Sequence, residues 1–83
     1  MSRYDPYQPL RQYLVALPAH QRTSTLTFAE LEAMRGERLA LAARVDYVYW
    51  SGSPVARHNW QALGWTAKLD RHARTVTFTR STP

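Results

Sequence analysis

Cysteine is absent from this chain of 83 residues. Its absence excludes disulfide bonds and thiolate zinc sites, two common supports of a small domain. A chain of this length buries a smaller fraction of its surface than a large one, so its stability has to come from large apolar side chains. Three tryptophans, five tyrosines and two phenylalanines serve that need without any ligand. A chain without cysteine is compatible with the cytoplasm, which is the location we expect.

Glycine and long apolar runs are also scarce. The three glycines, Gly36, Gly52 and Gly64, are too scattered to form a phosphate-binding loop. No apolar run follows the N-terminal residues, so we expect neither a signal peptide nor a transmembrane helix, and no membrane partner.

Groups that could carry out catalysis are few. His20, His58 and His72 fall at predicted loop, short-helix and turn positions, and no carboxylate or second histidine stands at a metal-binding spacing. After residue 40 the acids are Asp46 and Asp70, predicted on a helix and at a strand end. We therefore expect a protein that is not an enzyme and that uses no metal or other cofactor.

Acidic residues are outnumbered by basic ones, six to eleven, which gives a net charge of +5 and an isoelectric point near 10.2. From Ser51 onward a single acid, Asp70, accompanies five basic residues: Arg57, Lys68, Arg71, Arg74 and Arg80. Five aromatic residues lie just before or among them: Tyr47, Tyr49, Trp50, Trp60 and Trp65. Cations and aromatic rings on one surface bind a polyanion whose bases offer flat apolar faces, so nucleic acid is the expected partner. A chain this short needs its aromatic rings first for a core, so we expect Tyr47, Trp50, Trp60 and Trp65 to be core residues rather than ligand contacts.

The first half of the chain predicts a helix, a strand and a second helix. Asp5 and the following proline suit a helix start, and the helical spacing of leucines continues until Pro18. Residues 23–28 alternate polar with apolar and read as a strand. Thr27 and Glu30 form a capping box for the next helix, and Gly36 ends it.

The second half predicts two more helices and a hairpin. Residues 39–50 form a helix whose inner face carries Ala43, Tyr47 and Trp50, which leaves Tyr49 as the exposed aromatic. Residues 55–63 form a short helix with Trp60 and Leu63 facing inward. Residues 65–70 and 75–80 alternate as two strands around a turn at residues 71–74.

This order of elements indicates an α+β fold, a single domain of residues 1–83 with a loose tail at 81–83. Helix, strand, helix, helix, an extra short helix, strand, strand is the order of a winged helix-turn-helix with a C-terminal β-hairpin. A generic small α+β domain shares the same order, so both interpretations stay open.

A series of short motifs extends over nearly the whole chain. They are Tyr7, Pro9 and Leu10; residues 26–32; Ala43-Arg44; Tyr49-Trp50; Trp60; Gly64-Trp65; and residues 76–80. In these motifs the chain resembles a small, poorly characterised prokaryotic domain family, which occurs alone or fused to nuclease-type domains. The resemblance implies a DNA-associated role. The chain departs from the family pattern at Ala42 and Gly52, where relatives carry Ser and Asn, and lacks any ligand contact that those groups make.

Arg44 is the most specific single candidate for contact with a ligand. It lies in the middle of the predicted recognition helix between small residues, and its guanidinium can read a guanine edge or clamp a phosphate. The alternative is an ion pair with Glu37 or Asp46. The sequence does not decide between the two.

Further candidates lie at the short helix and at the hairpin turn. Free amides at the start of the short helix would attract a phosphate. Lys68 and the turn residues would follow a nucleic-acid backbone as a wing does. The alternatives are a solvated polar face and a charged turn that protects an edge strand. With Arg44, the candidate nucleic-acid-binding residues are Tyr49, Arg57, His58, Asn59, Lys68, Arg71 and Arg74.

Together these features predict a DNA-binding domain without chemistry of its own, which contacts duplex DNA through a recognition helix and a basic hairpin. The rival prediction is a small interaction protein, an inhibitor or adaptor of a defence or mobile-element system, that docks on an acidic protein surface. Both kinds of binding are electrostatic. Competition with bulk polyanion therefore distinguishes the two predictions better than a salt titration does.

Overall fold

A computed structural model describes residues 5–81, which form five short helices and a three-stranded antiparallel sheet. In chain order the elements are α1 (Gln8–Ala16), β1 (Thr23–Thr27), α2 (Phe28–Arg35), α3 (Leu41–Val45), α4 (Tyr47–Ser51), α5 (Pro54–His58), a 3-10 turn (Gln61–Leu63), β2 (Trp65–Asp70) and β3 (Thr75–Arg80). The predicted α+β class is confirmed. Over residues 5–81, none of the helices has the length and apolar character needed to cross a bilayer.

The sheet is built around β3, which pairs with β1 on one side and β2 on the other. Leu26 lies opposite Val76, and Ala67 lies opposite Phe78. These side chains are buried on one face of the sheet, and the threonines between them lie on the other face. This is expected because successive side chains of a strand point to opposite faces. The predicted C-terminal hairpin is therefore confirmed, with the predicted turn.

The two ends of α2 are determined by local hydrogen bonds and by a glycine. The Thr27 hydroxyl accepts a hydrogen bond from the Glu30 N–H, and the Glu30 carboxylate accepts one from the Thr27 N–H, at 3.0 and 2.8 Å. Gly36 ends the helix at φ 80°, a left-handed conformation that costs glycine little. The predicted capping box and stop signal are both confirmed.

The start of α1 differs from the prediction. Asp5 does not cap a helix that begins at Pro6; Tyr7 occupies the cap position and Gln8 is the first helical residue. The Asp5 carboxylate instead accepts from the Tyr7 N–H at 3.1 Å and pairs with Arg11 at 2.6 Å, which forms a turn ahead of the helix. The hydrogen bond from Arg11 is the main reason that the pKa of Asp5 lies below its usual value.

Residues 39–50 do not form one helix, so that prediction is wrong. The chain becomes extended at Asp46, with φ −106° and ψ 111°, which divides the segment into α3 and α4. The Asp46 carboxylate accepts from the Val48 N–H at 2.9 Å and so caps α4, because short acidic side chains compete with the helix for backbone donors. The break turns Tyr47 outward, to 53% exposure, although the spacing had put it inside.

The predicted short helix at residues 55–63 is also interrupted. Helix α5 ends at His58, and Asn59 leaves the helical region at φ −115° and ψ −97° before the 3-10 turn begins. Leu63, predicted to face inward, is 37% exposed. Gly64 ends the turn at φ 86°, a left-handed conformation.

Three tryptophans dominate the core, as predicted. Trp50 and Trp60 stack with ring centres 5.0 Å apart, and Phe78 meets both edge-on. The buried indole N–H groups both have acceptors, Trp50 donating to the Ala43 carbonyl and Trp60 to the Trp50 carbonyl. Trp65 is buried at the start of β2. The core thus links α4, the 3-10 turn and the sheet.

The C-terminal end of the described chain is held in place rather than loose. The Ser81 N–H and hydroxyl both donate to the Gly64 carbonyl, at 2.8 and 2.9 Å. The Arg80 guanidinium lies over the Trp65 ring at 4.4 Å and donates to the Gln21 carbonyl. Of the predicted tail, Ser81 is thus hydrogen-bonded to Gly64, and residues 82 and 83 lie outside the described part.

Candidate nucleic-acid interface

An open groove of about 980 Å³ lies between the start of α2, the α3–α4 segment and the hairpin turn. Four arginines line it, and we name it the arginine groove after them: Arg38, Arg44, Arg71 and Arg74. The other lining residues used below are His72, Tyr47, Val45, Phe28 and Glu32. Three of the predicted candidates, Arg44 and the two turn arginines, therefore face a common space.

The hairpin turn is attached to the start of α2 by one backbone contact. The Phe28 N–H donates to the Arg74 carbonyl at 2.9 Å. Arg74 has φ 57°, the left-handed conformation, and the Asp70 carboxylate tightens the turn by accepting from the Ala73 N–H at 3.0 Å. This geometry fixes the turn backbone while the side chains of Arg71 and Arg74 remain exposed.

Arg38 reaches the groove because the segment after α2 folds back onto that helix. The Glu32 carboxylate accepts from the Leu39 N–H at 2.9 Å, and the Leu39 side chain is buried in the core. Arg38, next to Leu39, is exposed and directed to the groove. Sequence reasoning missed this residue because both contacts connect parts of the chain that local patterns do not relate.

Neither ion pair predicted as the alternative for Arg44 is present. Glu37 pairs with Arg35 at 3.3 Å, and Asp46 is occupied with the Val48 N–H. Arg44 is half-buried, and its Nε atom is buried without a hydrogen-bond partner within residues 5–81. A buried donor without an acceptor is costly. This atom is closed to solvent, so another part of the Arg44 side chain lines the groove.

The remaining acids near the groove are also engaged with backbone groups. Glu30, Glu32 and Asp70 each accept from a backbone N–H, as described above. As a result, none of the four groove arginines forms an ion pair within residues 5–81. Four cations with no carboxylate paired to them make a concentrated positive field.

The three residues predicted to open the short helix do not lie at its start. Arg57, His58 and Asn59 lie at the end of α5 and just beyond it, not at its start. The Ser53 hydroxyl accepts from the Ala56 N–H at 3.1 Å, and the Ser53 carbonyl accepts from the Arg57 N–H. The amides of Ala56 and Arg57 are thus occupied.

The side chains at this end of α5 make contacts of their own, outside the groove. Arg57 donates to the Gly52 carbonyl at 3.0 Å, and Asn59 bonds to Arg11 and to the Val55 carbonyl. His58 is exposed and does not line the groove. Lys68 is exposed on β2, opposite Thr77 in the register, and also lies outside the groove.

Tyr49 is not the exposed aromatic that the sequence predicts. It packs half-buried against the core, with its ring edge-on to Trp50 at 5.4 Å, and its hydroxyl is hydrogen-bonded to that of Tyr7. Burial, followed by this hydrogen bond, raises the pKa of Tyr7 well above its ordinary value. The exposed tyrosine of this region is Tyr47. The sequence signal for its exposure is the preceding Asp46, because aspartate favours the position just before a helix and so indicates a new helix here.

The chain is similar to one protein family over nearly its whole length. No curated protein and no solved structure shows significant similarity to the chain. A family model described as a domain of unknown function matches residues 7–82, which includes α1, the arginine groove and the whole sheet. The chain therefore belongs to this family, DUF7662.

Proposed function

We propose that this domain binds nucleic acid through the arginine groove, with duplex DNA as its main partner, and that it does so without catalysing a reaction. The observation that carries the proposal is the set of four arginines around one groove, none of which forms an ion pair within residues 5–81. Guanidinium groups bind phosphate oxygens in bidentate geometry, and release of counterions from the nucleic acid supplies the binding free energy. The net charge of +5 acts in the same direction.

The topology supports a winged-helix mode of contact. The strand order β1-β3-β2, with α2 and α3 ahead of the β2–β3 hairpin, is compatible with that fold. In such a fold the hairpin turn with Arg71 and Arg74 would be the wing. Helix α3 has five residues and is thus roughly 7.5 Å long, too short to lie along a major groove. We therefore propose that Arg44 clamps a phosphate next to the wing, rather than reading bases from a long recognition helix.

A second candidate function is docking on an acidic protein surface, as an inhibitor or adaptor. Three apolar side chains on α3 and α4 are exposed, Leu41, Val45 and Val48, and Val45 lines the arginine groove. Exposed apolar groups next to cations are common at protein interfaces. Competition separates the two functions, since heparin or bulk plasmid displaces a nucleic-acid ligand, whereas an adaptor copurifies with one acidic protein.

Direct binding measurements test the main proposal. Fluorescence anisotropy with labelled random duplex DNA, single-stranded DNA and RNA should give a Kd of about 1–100 μM for the duplex, in the range of non-specific binding. The logarithm of the affinity should fall with that of the salt concentration, with a slope of roughly −3.6 if all four arginines contact phosphates. Absence of binding to every nucleic acid at low salt would refute the proposal.

A further inference from the structure

Tyr47 is an exposed aromatic side chain within a cationic groove. It lines the arginine groove and keeps 53% of its surface exposed, although the other tyrosines of the described chain are buried or packed against the core. Its main chain is fixed in α4, where the Tyr47 carbonyl accepts from the Ser51 hydroxyl at 3.1 Å. The backbone is therefore set while the ring stays available.

The Tyr47 ring makes neither a ring–ring nor a cation–π contact within residues 5–81. In this it differs from Tyr7, which lies under Arg35, and from Tyr49, which meets Trp50. Val45 is 39% exposed in the same groove, and Phe28 adds a half-buried ring to its wall. The groove thus offers a flat apolar surface among its four cations.

We propose that the arginine groove holds an unpaired nucleotide, whose base stacks on Tyr47 and whose phosphates contact the arginines. The inference rests on the proposed function and specifies its ligand. Stacked neighbours cover the base faces inside a duplex, so a single-stranded end or gap is what presents a base to an aromatic side chain. The groove of about 980 Å³ lies near the upper end of the roughly 300–1,000 Å³ of small-molecule sites, which gives room for a base with its phosphate.

Tyr47 and the arginines have separate tasks in this arrangement. The arginines bind any backbone, paired or unpaired, because phosphates are the same in both. Tyr47 adds affinity where a base is free to stack, and without regard to sequence, since every base has an apolar face. The domain is therefore directed to places where duplex DNA gives way to a single strand.

The test compares a duplex that carries a short single-stranded overhang with the same duplex whose overhang is abasic. Both probes have the same phosphates and differ in the bases alone. The wild-type protein should bind the overhang with bases more tightly by at least about fivefold, the lower end of what one stacked base contributes. Tyr47→Ala should remove this preference and leave binding to the abasic probe unchanged, whereas Tyr47→Phe should keep it. Val48→Ala, an exposed neighbour outside the groove, is the control and should behave as the wild type.

Each outcome decides a separate point. Equal affinity of the wild type for both probes would overturn the inference and leave nucleic-acid binding intact. A preference that survives in Tyr47→Ala would overturn the assignment of the base to this side chain. Failure to bind either probe would refute the proposed function itself, and the inference with it.

Discussion

The Asp46 carboxylate accepts a hydrogen bond from the backbone N–H of Val48 at 2.9 Å, and this contact separates α3 from α4. Without the break, helical spacing would turn Tyr47 toward the core together with Trp50. With it, Trp50 is fully buried and Tyr47 faces the arginine groove. One side-chain cap therefore determines which aromatic residue is available to a ligand.

Removing the Asp46 cap should destabilise the domain. Asp46→Ala should lower the free energy of unfolding by about 1 kcal/mol, the typical value for loss of an N-cap. Asp46→Asn is the matched control, because its amide oxygen can still accept from the Val48 N–H, and it should retain most of the stability. Urea unfolding followed by circular dichroism measures both. An equal loss in both variants would show that charge, not the hydrogen bond, is responsible.

Trp60 should be indispensable for folding. Truncation of a fully buried Trp to Ala costs about 3–5 kcal/mol. Here it also removes the ring stacked on Trp50 and the N–H that donates to the Trp50 carbonyl. A small domain has roughly 5 kcal/mol or little more in total, so Trp60→Ala should be largely unfolded at room temperature. A cooperative thermal melt close to that of the wild type would contradict this assignment.

Tyr49 and Tyr47 should differ sharply in their effect on stability. Tyr49→Ala removes a half-buried ring and the partner of the Tyr7 hydroxyl, and should cost about 2 kcal/mol, roughly half the value for a fully buried aromatic. For a domain of this size that lowers Tm by roughly 8–16 °C. Tyr47→Ala changes an exposed side chain and should stay within about 0.5 kcal/mol. Thermal melts of the two variants in parallel measure this difference. A lower Tm for Tyr47→Ala than for Tyr49→Ala would contradict the assignment of the two residues.

The buried Tyr7 hydroxyl should make the fold sensitive to alkali. Its pKa is raised above the ordinary value of 10.0, so the folded protein keeps this proton where the unfolded chain has lost it. The contribution of Tyr7 is therefore complete below pH 10 and declines as the pH rises beyond it, because the unfolded state then binds fewer protons. Unfolding free energies measured on both sides of pH 10 should fall less steeply for Tyr7→Phe. Identical pH dependence in the variant and the wild type would contradict the raised pKa.

Much of the fold can be predicted from short-range signals in the sequence. The wrong predictions for residues 39–50 have one common cause. Helix α2 is bounded by a capping box and a glycine, and the hairpin by strict alternation, so both were predictable. Residues 39–50 were not, because their continuous helical spacing conceals the break that Asp46 signals as a residue type that favours a helix start. The directions of Tyr47 and Tyr49 depend on that single break.

The residues of the candidate site also differ in whether the sequence predicts them. Arg71 and Arg74 could be located from the sequence, since the hairpin fixes them at its turn. Arg38 could not, because it joins the groove through burial of Leu39 and through the bond between that residue's N–H and Glu32. Long-range packing of this kind has no local sequence pattern.

The central claim is that the arginine groove, and not net charge in general, binds nucleic acid. Two double variants with equal loss of charge test it most directly: Arg71→Gln with Arg74→Gln inside the groove, and Arg57→Gln with Lys68→Gln outside it. All four side chains are exposed, and the Arg74 carbonyl that holds the turn to α2 is unchanged, so both variants should fold.

The measurement is the salt dependence of duplex binding for both variants and the wild type. The groove variant should bind more weakly at every salt concentration and lose about two units of the slope, roughly one for each phosphate contact removed. The variant outside the groove should keep the wild-type slope. Equal weakening of the two variants, with equal loss of slope, would contradict the claim.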